Sequence, residues 1–225
     1  MVKICVPVIE TTVERALIAA KKAERWADLV EYRTDYLKRV KLDLLLKNRR
    51  KPFIVTNRRA EEGGKYKGEE RERLGVLQEA IDFGAEFIDV ELGTGRSFLQ
   101  NLLKSRRGTQ VILSSHDFQK TPSPKALQRL FNKMARWEAD VIKVVPFAKS
   151  WEDNLTILSL IPFARVRKKK IVAFCMGEKG KISRILSPLL GAAWTYASFN
   201  EHSASAPGQL TAGEMKEIWR MLNIS

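Results

Sequence analysis

Val111-Ile112-Leu113-Ser114-Ser115-His116 and Asp140-Val141-Ile142-Lys143-Val144-Val145 are two apolar, β-branched runs, each long enough for a buried strand. Between them, Pro124 to Trp137 repeats apolar residues at helical spacing. A strand, a helix and a second strand in this order predict one βαβ unit with parallel strands. His116 and Lys143 each lie where an apolar run gives way to a loop, so the two side chains could face one substrate. A lysine paired with a histidine in this way suggests lysine-imine chemistry.

The same alternation of short strands and longer helices continues along the chain for eight cycles. The predicted strands are Lys3 to Val8, Leu29 to Arg33, Phe53 to Arg58, Phe87 to Leu92, Gln110 to Ser115, Val141 to Pro146, Ile171 to Met176 and Trp194 to Phe199. Eight such units without a linker-like segment predict an α/β fold, a (β/α)₈ TIM barrel that forms a single domain over 1–225. A doubly wound open sheet is the rival fold. It normally carries a glycine-rich phosphate loop after its first strand, whereas Ile9-Glu10-Thr11-Thr12 contains no glycine.

Residues suited to helix ends support these boundaries. Thr12 is a predicted N-cap for a helix that reaches Trp26, and Ser123 caps the helix that begins with Pro124. The glycines predicted to end helices in a left-handed conformation are Gly84, Gly108 and Gly191.

Composition limits the class of protein. The chain has 225 residues, of which 44% are hydrophobic, which is enough for a substantial core. No apolar run approaches the ~20 residues of a membrane span, and the N-terminal residues are predicted to form a strand rather than a signal peptide. We therefore expect a cytoplasmic protein without a membrane partner. Cys5 and Cys175 lie in predicted strands without the spacing of metal ligands, and we interpret both as small core residues.

The chain is strongly basic. Its 40 Lys and Arg residues against 26 Asp and Glu give a net charge of +14, which permits binding to nucleic acid and equally to an anionic substrate. The basic residues are dispersed, often near predicted helix ends, where cations interact favourably with the helix dipole. We interpret them as solvated and expect no nucleic-acid partner.

Polar residues collect at the carboxyl ends of the predicted strands, where barrel enzymes carry their chemistry. On the second strand, the period of two sends Glu31 and Arg33 to one face and Tyr32 to the other. Five further strand ends supply Arg58 and Glu62, His116, Lys143, Met176 and Arg184, and the Ser205 to Gln209 loop. Six strand ends of this kind predict an active site at this face of the barrel.

In this order the motifs resemble those of type I 3-dehydroquinate dehydratase, the Schiff-base enzyme of the shikimate pathway. The matching segments are Glu31-Tyr32-Arg33, Arg58 with Glu62-Gly63-Gly64, Ser115-His116-Asp117-Phe118, Lys143 in its apolar strand, Met176-Gly177 with Ser183-Arg184, and Ser205-Ala206-Pro207-Gly208-Gln209. The resemblance covers essentially the whole chain. It departs at Asn57, where many members have an aromatic residue, and at Ser115, where tyrosine is frequent, and neither change removes a reacting group.

The resemblance implies dehydration of 3-dehydroquinate to 3-dehydroshikimate, the third step of the pathway to chorismate and the aromatic amino acids. Lys143 would form an imine with the substrate ketone, which acidifies the neighbouring C–H bond. His116 would take that proton and then protonate the departing hydroxyl. Glu62 would orient the imidazole, and Glu31 would work beside it on the pocket floor.

The resemblance also implies which residues bind substrate. They are Glu31, Arg33, Arg58, Met176, Arg184, Ser205 and Gln209. Arg184 would clamp the substrate carboxylate through two parallel hydrogen bonds. Arg33 would hold Glu31 and Arg58 in place or contact a ring hydroxyl. The Pro207-Gly208 segment is a candidate lid, and we interpret His202 as an exposed loop residue.

Two alternatives remain open. A class I aldolase uses the same lysine-imine chemistry in the same fold, although the phosphate site usual for sugar-phosphate aldolases is only half supplied by Gly177 and Gly180. A nucleic-acid-binding protein is supported by the charge alone. We expect no cofactor and no metal, because an amine, an imidazole and carboxylates suffice. The expected partners are a small anionic substrate and a second copy of the chain, since dimers are frequent in the family. Ile157 to Phe163 and the last helix with Trp219 and Leu222 are candidates for the dimer surface, although burial in the core explains them equally.

Overall fold

The computed structural model describes residues 2–47 and 49–224, with the exception of the His202 side chain, so the prediction for His202 lies outside the described residues. Eight parallel strands alternate with helices in a nearly closed barrel, which confirms the predicted fold class. The strands are β1 (Ile4–Val8), β2 (Leu29–Arg33), β3 (Phe53–Thr56), β4 (Phe87–Glu91), β5 (Gln110–Asp117), β6 (Val141–Pro146), β7 (Lys170–Ala173) and β8 (Thr195–Tyr196). They pair in the order β7-β6-β5-β4-β3-β2-β1-β8. A 2.8 Å backbone hydrogen bond from Ala193 to Ile171 continues the barrel wall from β8 to β7.

The helices lie outside this barrel. They are α1 (Val13–Ala23), α2 (Leu42–Leu45), α3 (Glu70–Asp82), α4 (Arg96–Ser105), α5 (Pro124–Ala135), α6 (Glu152–Leu158), α7 (Leu160–Val166), α8 (Lys181–Leu186) and α9 (Ala212–Met221). Throughout the described ranges, none of them is long and apolar enough to cross a membrane. Thr12 and Ser123 cap α1 and α5 as predicted, each side chain accepting a 3.4 Å hydrogen bond from the backbone three residues on.

The turn after α4 differs from the prediction. Gly84 and Gly191 adopt the expected positive φ, at 71° and 103°, but Gly108 does not. Arg107 takes the left-handed conformation instead, with φ 49°. The reason is that the Thr109 amide donates to the Arg106 carbonyl at 2.8 Å, which closes the turn around Arg107.

Several strands end earlier than predicted because loop groups take over their backbone hydrogen bonds. β7 stops at Ala173 rather than Met176, since the Cys175 amide donates to the Ser183 hydroxyl at 2.8 Å. β8 is reduced to two residues, because beyond it the Ser198 amide pairs with Leu210 at 2.8 Å. In contrast, β5 runs two residues past its predicted end, to Asp117.

The barrel interior is built in layers of four side chains from alternate strands, as in other barrels of this type. The lowest layer consists of Leu29, Phe87, Val141 and Trp194 from the even strands. The next consists of Cys5, Ile54, Ile112 and Val172 from the odd strands. Both Cys5 and Cys175 are buried and free, as expected for small core residues. Two residues further along each even strand lie Glu31, Asp89, Lys143 and Tyr196, all at most 4% exposed. These four, the polar layer, rest on two apolar layers that close the bottom of the barrel.

The residues predicted as a dimer surface lie mostly in the core. Ile157, Leu160 and Ile161 are at most 1% exposed, and Trp219 is 3% exposed. The prediction is wrong for these residues, because α6, α7 and α9 turn them inward against the barrel wall. Leu222 is exposed.

Candidate active site

One cavity lies at the carboxyl ends of the strands, and all ten predicted site residues line it. It encloses roughly 480 Å³ of space open to solvent, a size suited to a small molecule. The ten residues are Glu31, Arg33, Arg58, Glu62, His116, Lys143, Met176, Arg184, Ser205 and Gln209. The strand ends therefore converge as the sequence predicted.

Lys143 forms the cavity floor within the polar layer. Its Nζ donates to Asp89 Oδ2 at 2.9 Å and to the Tyr196 hydroxyl at 3.1 Å, and lies 3.7 Å from Glu31 Oε1. The Thr56 hydroxyl donates to the same Glu31 oxygen at 2.7 Å. The amine is thus held at a fixed point by groups from all the other even strands, and the residue is only 4% exposed.

A buried ion network surrounds the carboxylate that contacts Lys143. Arg58 donates to Asp89 at 2.8 Å and to Glu91 at 2.9 Å, and Arg73 binds the other oxygen of Glu91 at 2.6 Å. The Ser114 hydroxyl donates to Asp89 at 2.6 Å. Burial alone would raise the pKa of Asp89. Arg58 and Lys143 outweigh burial and hold this pKa well below its usual range, so the carboxylate stays ionised.

Sequence reasoning missed Asp89, Glu91, Ser114 and Tyr196 as site residues. A pattern for the first two was present in Phe87-Ile88-Asp89-Val90-Glu91, where the period of two sends both carboxylates to one face. The same reasoning identified Glu31 and Arg33 on β2. Tyr196 carries no comparable pattern, because a tyrosine in a short apolar strand is usually a core residue.

His116 and Glu62 form the second functional unit. His116 Nδ1 lies 2.9 Å from Glu62 Oε2, and the His116 backbone amide donates to the same oxygen at 3.0 Å. Burial and the cations Arg58 and Lys143 lower the pKa of His116 well below its usual value, so the imidazole is neutral at neutral pH. Burial raises the pKa of Glu62 to about 7.

The protonation of Glu62 decides which imidazole nitrogen is a base. When Glu62 is ionised, His116 Nδ1 donates to it and Nε2 carries the lone pair. When Glu62 is protonated, its hydroxyl donates to Nδ1 and the ring proton moves to Nε2. Only the ionised carboxylate therefore gives a base that faces away from Glu62.

Arg184 stands apart from these networks. It is 0% exposed, and its only hydrogen bond among the described residues is a 3.4 Å contact from Nη2 to the Pro207 carbonyl. Its Nε and Nη1 have no partner within the described part of the chain. The guanidinium lies 4.4 Å from the Phe174 ring centroid, and burial lowers the pKa of Arg184 to about 10. A buried cation with free donors facing a cavity is suited to bind an anion.

The last loop covers the side of the cavity next to Arg184. Gln209 Oε1 accepts from the Ser205 amide at 2.8 Å, and the Gly177 amide donates to Pro207 at 3.0 Å. Gly208 has φ 71°, and a Cβ there would lie 2.0 Å from the Gly177 carbonyl oxygen. Only glycine allows this close approach between the two loops.

Arg33 lines the cavity but does not hold Glu31 or Arg58 as one prediction proposed. Its Nε and Nη2 form a bidentate pair with Asp35 at 2.8 and 2.7 Å. That prediction is wrong because Asp35, two residues along the same chain, offers a matching carboxylate at close range. Asp35 also accepts from the Lys65 amide at 3.0 Å, so the pair anchors the loop after β3.

Comparisons with known proteins agree with this geometry. The family model for type I 3-dehydroquinase matches residues 4–225. The chain is 40% identical over 225 residues to a 3-dehydroquinate dehydratase from Methanocaldococcus jannaschii, covering 98% of this chain and 99% of that protein. It is 43% identical over 192 residues to one from Dehalococcoides mccartyi, covering 82% and 85%.

Solved structures give the same answer. The 3-dehydroquinate dehydratase of Geobacillus kaustophilus superposes with a TM-score of 0.90 at 26% identity, covering 99% of this chain and 91% of that one. The type I enzyme of Clostridium difficile superposes with a TM-score of 0.88 at 26% identity, covering 98% and 91%. The chain therefore belongs to the type I 3-dehydroquinase family, a family of dehydratases.

Proposed function

We propose that this enzyme converts 3-dehydroquinate to 3-dehydroshikimate through an imine on Lys143, in the third step of the shikimate pathway towards chorismate and the aromatic amino acids. The observation that carries the proposal is the pairing of a buried amine with a buried, unneutralised arginine in one cavity. 3-Dehydroquinate carries a ketone for the amine and one carboxylate for the arginine.

Imine formation begins with attack of the Lys143 amine on the substrate ketone, after which water is lost from the carbinolamine. The protonated imine nitrogen withdraws electrons from the adjacent carbon and makes its C–H bond acidic. Asp89, ionised at 2.9 Å from Nζ, stabilises the positive charge that the nitrogen carries in this state.

His116 then takes the proton from that carbon through Nε2 and returns it to the departing hydroxyl as water leaves. Its neutral state at neutral pH suits the first step. Glu62 fixes the tautomer and stabilises the imidazolium between the two steps, which makes it a positioning residue for His116. Glu31 lies beside both on the cavity floor.

Substrate recognition follows from the cavity wall. Arg184 binds the carboxylate in a bidentate geometry that lysine cannot reproduce: Nη2, which makes only a 3.4 Å contact with the Pro207 carbonyl, pairs with one of the free donors Nε and Nη1. Arg58, Ser205 and Gln209 supply hydrogen bonds to ring hydroxyls. Arg33, at the end of β2, contacts a further ring hydroxyl. Met176, 1% exposed, packs against the ring.

The test is ultraviolet absorbance after 3-dehydroquinate is added to the purified protein. We expect a rising enone signal with the wild type and none with Lys143→Ala. Lys149→Ala, an exposed lysine just after β6, is the matched control and should leave the rate unchanged. Borohydride should trap an adduct in the wild type and in the control only. A folded wild type with a flat trace would exclude the reaction.

We also propose that the Pro207-Gly208 segment is a lid over the site. It already contacts the Gly177 loop through a backbone hydrogen bond, and it lies next to the proposed carboxylate clamp. Hydrogen exchange at the backbone amides of this segment should slow when ligand binds. Unchanged exchange with saturating ligand would argue against a lid.

Finally, we propose a cytoplasmic homodimer. Trp151 and Leu155, which lie one turn apart at α6, are 56% and 72% exposed. The Ser183 amide of α8 donates to Asn154 Oδ1 of α6 at 3.1 Å and so joins the two helices. Ile182 of α8 is also exposed, so these apolar residues offer a surface for a second copy. Light scattering should give a dimer for the wild type and a monomer for Leu155→Glu, with Ile18→Glu on α1 as the control.

A further inference from the structure

Tyr196 is a member of the polar layer to which the proposed mechanism gives no task. It lies on β8, paired with Cys5 of β1, and its ring packs against Phe174 at 5.9 Å between centroids. The side chain is 4% exposed, and its hydroxyl lies 3.1 Å from Lys143 Nζ. A phenol in direct contact with a nucleophilic amine is placed to influence how that amine reacts.

The hydroxyl is a neutral group that can serve the amine in both protonation states. Burial and the nearby carboxylate of Glu31 raise the pKa of Tyr196 well above its usual value, so the phenol keeps its proton. A phenol hydroxyl can accept a hydrogen bond from an ammonium group and can equally remain an acceptor for a neutral amine N–H. Asp89 and Glu31 are carboxyl groups beside Nζ, whereas the neutral hydroxyl of Tyr196 influences only the direction in which the N–H groups point.

Lys143 Nζ lies 4.3 Å from the Tyr196 ring centroid, and its three oxygen neighbours lie at different distances, which orients the amine. An ammonium group has three N–H donors, and its neighbours lie at 2.9 Å for Asp89, 3.1 Å for Tyr196 and 3.7 Å for Glu31. The N–H towards Glu31 is the most weakly held, so it is the one that leaves. In the proposed step this proton passes to the Glu31 carboxylate once the two groups close from 3.7 Å to hydrogen-bond distance, and the N–H bond breaks as an O–H bond forms. The electron pair stays on nitrogen.

We propose that Tyr196 is a positioning residue for imine formation. Together with Asp89 it holds two N–H groups of the Lys143 amine, so that the lone pair freed by loss of the third N–H lies on the Glu31 side of the nitrogen, where Glu31 lines the cavity and the substrate ketone approaches. This role rests on the proposed function and is confined to formation of the imine. The later proton transfers belong to His116, which does not contact Tyr196 through any hydrogen bond found among the described residues.

The test is Tyr196→Phe, which removes one oxygen and keeps the ring that packs on Phe174. Imine formation with 3-dehydroquinate would be followed by rapid borohydride quenching and mass spectrometry between roughly pH 6 and pH 10, a range wide enough to define both the acidic limb and the plateau of the rate profile. We expect the acidic limb of the rate profile to move by roughly one unit to lower pH, since the ammonium loses an acceptor. We expect the plateau rate at high pH to fall by about tenfold, because the lone pair is less well directed.

The rate must be measured across the whole pH range. At neutral pH, the shift of the acidic limb raises the rate of imine formation, whereas the lower plateau reduces it. The conversion of preformed imine to product should stay within about twofold of the wild type, since His116 and Glu62 are untouched. Tyr32→Phe is the matched control. Tyr32 is equally buried, but it faces the helices and stacks on Phe53 at 4.7 Å. The Tyr32→Phe substitution should leave both the acidic limb and the plateau of the rate profile unchanged.

The outcomes separate this inference from the proposed function. A wild type that traps imine normally, with a folded Tyr196→Phe whose limb and plateau match it, overturns the role of Tyr196 alone. A wild type that traps no imine overturns both. Should Tyr196→Phe fail to fold by circular dichroism, Tyr196→Met removes the same hydroxyl with a flexible side chain that fills most of the space, and the same two quantities decide.

Discussion

Replacing Arg184 with methionine should stabilise the unliganded protein while it disables the enzyme. The guanidinium is fully buried, and two of its nitrogens have no partner among the described residues. Burial lowers the pKa of Arg184 from its ordinary value to about 10, which corresponds to roughly 3 kcal/mol of unfavourable free energy for the charged form. Methionine removes that charge and can pack its sulfur near the Phe174 ring. We expect the free energy of unfolding to rise by about 1–3 kcal/mol.

The same substitution at Arg73 should have the opposite sign. Arg73 is also 0% exposed, but it binds Glu91 at 2.6 Å, Glu70 at 2.7 Å and the Asn57 carbonyl at 3.0 Å. Removing one partner of a buried ion pair leaves an uncompensated charge and typically destabilises by about 3–5 kcal/mol. Arg73→Met is therefore the control for Arg184→Met, with burial and residue type matched and only the partners different.

Thermal unfolding and steady-state kinetics measure the two effects. For a chain of this size, 1 kcal/mol shifts Tm by about 2–4 °C, so Arg184→Met should melt several degrees higher and Arg73→Met markedly lower. Loss of two charge-assisted hydrogen bonds, each about 1.5–3 kcal/mol, should lower kcat/KM of Arg184→Met by about 10²- to 10⁴-fold. A destabilised Arg184→Met, or one that retains wild-type kcat/KM, would refute the view of Arg184 as a cation that waits for the substrate carboxylate.

Three other predictions concern the same site. In the wild type, kcat/KM should fall as pH drops below about 7, because Glu62 then takes up a proton and His116 loses the lone pair on Nε2. In Glu62→Gln this acidic limb should disappear and the rate should fall about 10²-fold, and persistence of the limb would assign it to another group. His116→Ala should lose about 10²- to 10⁴-fold in turnover yet still give a borohydride-trapped imine, and absence of the adduct would place His116 in imine formation as well. Gly208→Ala should raise KM, because its Cβ would meet the Gly177 carbonyl at 2.0 Å, whereas Gly84→Ala, with the same φ of 71° and open space around it, should not.

The sequence was sufficient to predict the fold because the barrel depends on repeating local patterns. Strand β2 was predicted with its observed bounds, and the period of two correctly separated Glu31 and Arg33 from Tyr32, which faces the helices and stacks on Phe53. Lys143 and His116 could be brought together for the same reason. Adjacent parallel strands carry their carboxyl ends to one face, whatever the loops between them do.

Contacts between distant segments could not be predicted in this way. β7 ends early because Ser183, eight residues further on, takes the Cys175 amide. Arg33 pairs with Asp35 rather than with Glu31, although the pattern placed Glu31 and Arg33 on one face. Tyr196 reaches Lys143 because β8 follows β6 in the same layer, and this requires the register of the barrel rather than the pattern of any one strand.

The charges of the site explain why a substrate with one carboxylate fits it. Three buried cations, Lys143, Arg58 and Arg73, are matched by three buried carboxylates, Glu31, Asp89 and Glu91. Arg73 also pairs with Glu70, which is partly exposed to solvent. Arg33 is matched by Asp35.

Of the basic residues that line the cavity, Arg184 is then the one without a carboxylate partner among the described residues. It is buried in the protein interior, where an unpaired charge is unfavourable. A single carboxylate on the substrate completes the balance, whereas a dianionic phosphate would leave one charge uncompensated. The single unpaired positive charge of the site therefore favours 3-dehydroquinate over the sugar-phosphate substrates of aldolases that share this fold.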